Sequence, residues 1–176
     1  MANENTINTD RAEAAAAISV LKAQYFRLMD MKRWDEWQAL FAPTAFMDMS
    51  GEAAAMRSLG FPIPGDADFK WRGAASIRAA VSEALDNVTT VHHGHMPEIE
   101  ILSTREARGI WAMEDMILYG PGAPIAGFRG YGHYFESYVN HDGRWRIQTI
   151  QLVRLCIRPI ATMSIDRTSC SQSDIA

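Results

Sequence analysis

The chain has 176 residues, 48% of them hydrophobic and 22% charged, which fits one globular domain with a sizeable core. A net charge of −4, with no basic stripe, argues against a nucleic-acid partner. No apolar run is long enough to span a membrane, and the opening MANENTINTD lacks the basic and apolar regions of a secretory signal. Cys156, at the end of a strand, and Cys170, in a polar tail, make no disulfide framework, so a cytoplasmic location is expected.

In chain order, Thr9-Asp10 can cap a long helix over about 11–31. Ile18, Leu21, Tyr25, Leu28 and Met29 recur every three or four residues and mark its buried face. A shorter helix follows over about 33–41, carrying Trp34 and Trp37 and stopped by Pro43. Residues 45–50 alternate as a strand. Residues 51–72 show no period, are rich in Gly and Pro, and carry Phe61, Phe69 and Trp71, which suggests a long loop or lid at a pocket mouth. A third helix spans 74–85. Four strand candidates close the domain, at 88–102, 106–119, 125–140 and 144–157. Two of their breaks, GPGAP at 120–124 and HDG at 141–143, are hairpin signals. Residues 158–176 read as a polar tail that frays. Helices first and antiparallel strands after is an α+β pattern, with helices on one face of a curved sheet.

Polar residues interrupt these apolar elements. Tyr25 and Asp30 sit on the long helix, His92 in VHHGHMPEIEI, Asp115 in WAMEDMILY and Arg154 in IQLVRLCI. Burying such groups costs stability unless they pair, and proteins keep them mostly where they do chemistry. Each also has a plain structural reading. Tyr25 can be a core tyrosine, Asp30 a solvated helix end, His92 a satisfied core histidine, and Asp115–Arg154 a structural ion pair. The methionines suit an adaptable apolar wall, and Glu13, Lys22, Arg27, Lys32 and Arg33 read as solvated helix surface.

The order of elements resembles the nuclear transport factor 2-like cone, in its SnoaL-like branch. KAQYFRLMDMKRWDEW, HHGHMPEI, WAMED and the closing LVR resemble the bile acid 7α-dehydratase group, with scytalone dehydratase and hexachlorocyclohexane dehydrochlorinase as relatives. The resemblance covers roughly residues 12–157. It implies three helices in the N-terminal half packed on a strongly curved, mainly antiparallel sheet. It also implies catalytic roles for Tyr25, Asp30, His92, Asp115 and Arg154. One departure is that those dehydratases carry a further tyrosine near the position of Met49.

The chemistry agrees with the resemblance. A histidine can take a proton in one step and return it in the next, and a carboxylate on one ring nitrogen fixes its tautomer. Asp30 is the natural partner for His92. Tyr25 lies about 140° around the helix axis from Asp30, so the two can flank one pocket, Tyr25 donating to a carbonyl or leaving hydroxyl. Asp115 and Arg154 would pair as an oriented acid or anchor. Met49, Trp71, Met96, Trp111 and Met113 are expected to bind substrate.

Alternation places His93 and His95 opposite His92, where an HxH pair could supply two ligands with His133 or a carboxylate as a third; that signal is weak, so no metal and no cofactor is expected. The expected function is a dehydratase-type lyase acting on a hydrophobic cyclic molecule such as a steroid, polyketide or terpenoid. An isomerase like ketosteroid isomerase, or a ligand-binding or assembly module, are the alternatives. A homodimer or homotrimer is expected.

Overall fold

The computed structural model describes residues 4–160, with side chains from residue 9 onward. The long helix α1 (Glu4–Asp30) lays its expected stripe on the sheet, where Ile18, Leu21, Tyr25, Leu28 and Met29 are all buried. It starts earlier than the Thr9-Asp10 cap suggested. Those residues lie within the helix because no Gly or Pro precedes them to halt it. Its end is a Schellman turn. Lys32 takes a left-handed φ of 57°, its N–H donates to the Met29 carbonyl at 3.1 Å, and the Arg33 N–H donates to that of Leu28 at 2.9 Å. Asp30 is thereby the last helical residue.

Helix α2 (Trp34–Gln38) is shorter than expected, because the chain turns into β1 (Phe41–Asp48) as early as Phe41. A register irregularity between Phe41 and Phe46 accommodates Pro43 within this strand. The 51–72 segment is the main departure from the sequence reading. It is not one irregular loop but contains α3 (Ser50–Ser58) and a short strand β2 (Lys70–Arg72), joined by an irregular link. EAAAM is a run of good helix formers, which the downstream Gly and Pro cluster obscured. The helices therefore number four among the described residues, the last being α4 (Ala74–Leu85).

Four long strands follow: β3 (Thr89–Ile101), β4 (Glu106–Leu118), β5 (Gly127–His141) and β6 (Arg144–Ile160). The sheet order is β2-β1-β6-β5-β4-β3, antiparallel except for the parallel β1–β6 pair. Asp142 (φ 53°) and Gly143 (φ 77°) make a two-residue hairpin between β5 and β6, as HDG suggested. β6 runs through Ile160, past the expected end at 157, because β5 continues to pair with it as far as Gly127↔Ile160. Cys156 is therefore inside a strand, whereas Cys170 and the rest of the tail beyond Ile160 lie outside the described residues. No helix among the described residues is long and apolar enough to cross a membrane.

Alternation on β4 and β5 is regular. Trp111, Met113, Asp115 and Ile117 face inward, as do Phe128, Tyr134, Glu136 and Tyr138. β3 breaks the pattern between Gly94 and Pro97, where His95 and Met96 together face Ala112 across the ladder. This bulge flips the inward set from Thr90 and His92 to Ile99 and Ile101.

Candidate active site

A cavity of about 320 Å³ opens between the sheet, α1, α3 and α4. It lies at the small end of the range for ligand pockets. Met29, Met49, Met56, Leu152 and the rings of Phe61, Phe69, Trp71 and Phe128 supply its apolar wall. Its polar groups are Tyr25, Glu52, His92, Asp115, Tyr119, Tyr134 and Arg154. The 51–72 segment thus does reach the pocket, through α3 and the three aromatic rings expected at its mouth.

Asp30 and His92 meet at one wall. The His92 Nδ1 lies 2.6 Å from Asp30 Oδ1, and the His92 backbone N–H donates to Oδ2 at 2.9 Å. Thr90 donates its hydroxyl to Oδ1 at 2.8 Å and accepts from the Lys32 Nζ at 3.0 Å. A carboxylate at a helix C-terminus opposes the helix dipole, and these donors offset that penalty. With Nδ1–H committed to Asp30, Nε2 on the far side of the ring is the basic nitrogen. Phe26 stacks on the imidazole at 6.1 Å and 11°. Lys32 is drawn into this arrangement rather than lying on the solvated face. Burial lowers the proton affinity of its ammonium, against the opposing pull of Asp30 and Asp86.

Tyr25 lines the cavity and packs edge-on against Tyr134, their ring centroids 6.1 Å apart at 73°. Burial raises both phenols well above the ordinary range. The neighbouring phenol and Glu136 raise Tyr25 further, and Asp115 raises Tyr134. Both therefore act as donors. Tyr119 is pushed up to about 12, first by burial and then by Glu52 and Asp115.

Beside the histidine, whose partner across the β3–β4 ladder is Asp115, Arg154 makes the expected fork with Asp115, Nη1 to Oδ1 at 2.9 Å and Nη2 to Oδ2 at 2.6 Å. The sequence reading missed its second partner. Glu52 on α3 accepts from Nε at 2.6 Å and from Nη2 at 3.2 Å. Burial alone would lower the guanidinium's proton affinity, but Glu52 and Asp115 outweigh it and hold Arg154 above its ordinary value. Gly130 makes room for the fork, since a Cβ there would sit 2.2 Å from Arg154 Nη1 and 2.4 Å from Asp115 Oδ1.

Of the expected substrate-binding residues, Met49 and Trp71 line the cavity and three do not. Met96 is 92% exposed, because the β3 bulge turns it outward. Trp111 is buried deeper in the cone, donating to the Tyr138 hydroxyl at 2.7 Å, and Met113 lies under Arg154 with its sulfur 3.8 Å from Nη1. His93 points to the outer face, 3.3 Å from Glu114. No three His, Cys, Asp or Glu side chains converge as a metal site among the described residues.

Sequence reasoning also misplaced Lys22. It is completely buried rather than solvated, and pairs with Glu136, which also accepts from the Tyr138 hydroxyl. Its ammonium lies 3.8 Å from the Tyr134 ring centroid, 4.1 Å from that of Tyr25 and 4.7 Å from that of Phe26. The signal was present. Lys22 falls four residues after Ile18 and three before Tyr25, inside the apolar stripe, and Glu136 shares the inward register of Tyr134 and Tyr138.

A broader depression of about 720 Å³ lies on the outer face of the sheet, among Glu98, Arg108, Phe135, Ser137, Thr149 and Gln151. It holds none of the expected site residues.

Comparison with known proteins agrees with this architecture. The chain is 26% identical over 149 residues to probable cyclase FGR4 of Gibberella zeae, covering 81% of this chain and 92% of that one. It superposes on a candidate scytalone dehydratase from Novosphingobium aromaticivorans with a TM-score of 0.72 at 18% identity, over 94% of this chain and 99% of that one. A hexachlorocyclohexane dehydrochlorinase (LinA) Type2 gives 0.73 at 15% identity, over 93% and 99%. The SnoaL-like domain family matches residues 10–151, which include Asp30, His92 and Asp115 and stop short of Arg154, and the chain belongs to that family.

Proposed function

We propose that the protein is a small-molecule lyase of the dehydratase type, acting on a hydrophobic cyclic molecule such as a steroid, polyketide or terpenoid, with its own side chains moving the proton. The observation that carries this reading is the 2.6 Å contact between Asp30 and His92 on the wall of a mostly apolar cavity. Relatives described as a dehydratase, a dehydrochlorinase and a cyclase support an enzyme of this kind. The finer likeness to bile acid dehydratases rests on the YFRLMD and HHGHMPEI segments.

In this mechanism Nε2 of His92 removes a proton from the carbon next to a carbonyl. Asp30 fixes the tautomer and stabilises the imidazolium. Tyr25, positioned by its packing against Tyr134 and Trp37, donates a hydrogen bond to the carbonyl oxygen as negative charge gathers there. The carbon–oxygen bond of the β-hydroxyl then breaks, the imidazolium returns its proton, and water leaves behind a carbon–carbon double bond. Asp115, held by Arg154, orients the departing hydroxyl.

The test is water loss from a panel of fused-ring β-hydroxy ketones, followed by the ultraviolet absorbance of the conjugated product. Asp30→Asn should lower kcat and leave binding largely intact. No turnover of any member, or an Asp30→Asn variant as active as wild type, would reject the reading. The same Asp30–His92 pair would also serve one alternative, isomerisation, in which a proton moves and nothing leaves. Deuterium uptake from heavy water with no loss of hydroxyl would select it.

A further inference from the structure

Arg154 looks at first like an anchor for an anionic group, but its donors are already used. A guanidinium has five N–H groups. Nε and one Nη2 hydrogen go to Glu52, at 2.6 and 3.2 Å. The other Nη2 hydrogen and one from Nη1 go to Asp115, at 2.6 and 2.9 Å. The last Nη1 hydrogen faces the Met113 sulfur at 3.8 Å. No hydrogen is left for a ligand. The charged groups on the cavity wall are then two carboxylates against one guanidinium, beside His92. Behind the wall, Lys32 and Asp30 lie together through Thr90 and add no surplus positive charge.

We propose that Glu52 sets the charge preference of the site, by occupying the face of Arg154 that an anion would need, so that the cavity takes uncharged, oxygen-bearing ring molecules and rejects carboxylates. The assignment rests on reading the cavity as a substrate site. Glu52 belongs to α3, so the element that closes the cavity also delivers the carboxylate that neutralises it. Because the side chain of Arg154 is only 9% exposed, a carboxylate ligand reaching it would meet little water to screen Glu52 and Asp115.

Naphthamide and naphthoate have nearly the same shape and differ by one charge, so calorimetric titration of both at neutral pH isolates the effect. Wild type should bind the amide and take the carboxylate at least about tenfold more weakly. Glu52→Gln and Glu52→Ala should narrow that gap by about tenfold, chiefly by tightening the carboxylate. If Glu52 were only a latch for α3, the variants would lower the melting temperature and leave the ratio unchanged, which would overturn the proposal. Equal wild-type affinity for the two probes, or no binding of the amide, would overturn it as well. If neither variant folds, the wild-type ratio decides. The readout is binding, so a protein that discriminates the probes yet eliminates nothing would refute the lyase reading and leave this one standing.

Discussion

Lys22→Met tests the buried charge pair beneath the cavity floor. The substitution keeps most of the side-chain stem and removes only the ammonium. Lys22 and Glu136 have fully inaccessible side chains, so the variant leaves a carboxylate in the core with the Tyr138 hydroxyl as its remaining partner. Removing one member of a buried pair costs about 3–5 kcal/mol. The lost contacts with three aromatic rings act in the same direction. Glu136→Gln should cost a similar amount, because it strands the lysine. The double variant should recover most of the loss, since a buried pair replaced as a unit is often neutral. Urea denaturation followed by circular dichroism gives the three free energies. At roughly 2–4 °C per kcal/mol for a chain of this length, each single variant should melt about 6–20 °C lower. A loss below about 1 kcal/mol for Lys22→Met, or a double variant as unstable as the sum of the singles, would show that the ammonium reaches water and that the pairing argument is wrong.

Three further outcomes follow from the geometry. Burial raises Tyr25, Tyr134 and Tyr138, so the unfolded chain loses their protons first as pH climbs past 10; stability should fall there by about 1.4 kcal/mol per pH unit for each phenol, and phenolate absorbance should appear together with unfolding. Phenolate absorbance of all three in a still-folded protein near pH 10 would contradict the burial. Gly130→Ala places a Cβ 2.2 Å from Arg154 Nη1, so it should disrupt the Asp115 fork and reduce turnover of the β-hydroxy ketones; an unchanged kcat would show that the fork is not needed. His93→Ala should leave turnover near wild type, because its side chain meets Glu114 on the outer face; abolished activity would reverse the inside and outside assignments on β3.

Much of the fold was legible because the strands alternate cleanly. The inward set on β4 and β5 could be read by counting in twos, and Asp115 fell on it. The same counting failed at Met96, because a bulge is a local backbone choice with no compositional mark in GHMP. The Asp30–His92 contact was legible because a carboxylate at a helix end asks for a partner, although Thr90 and the Lys32 turn that support it were not read. Glu52 was hidden by its neighbourhood. A nine-residue helix beside a Gly- and Pro-rich link is too short to impose a period. Lys22 was misassigned by residue type, although its spacing placed it within the buried stripe.

The central claim is that His92 moves the proton. It is tested most directly by the kcat of His92→Ala on the β-hydroxy ketone that wild type turns over best, with product binding measured alongside. The expected result is a loss of about 10²–10⁴-fold in kcat with product affinity nearly unchanged. A variant that turns over at the wild-type rate would contradict it.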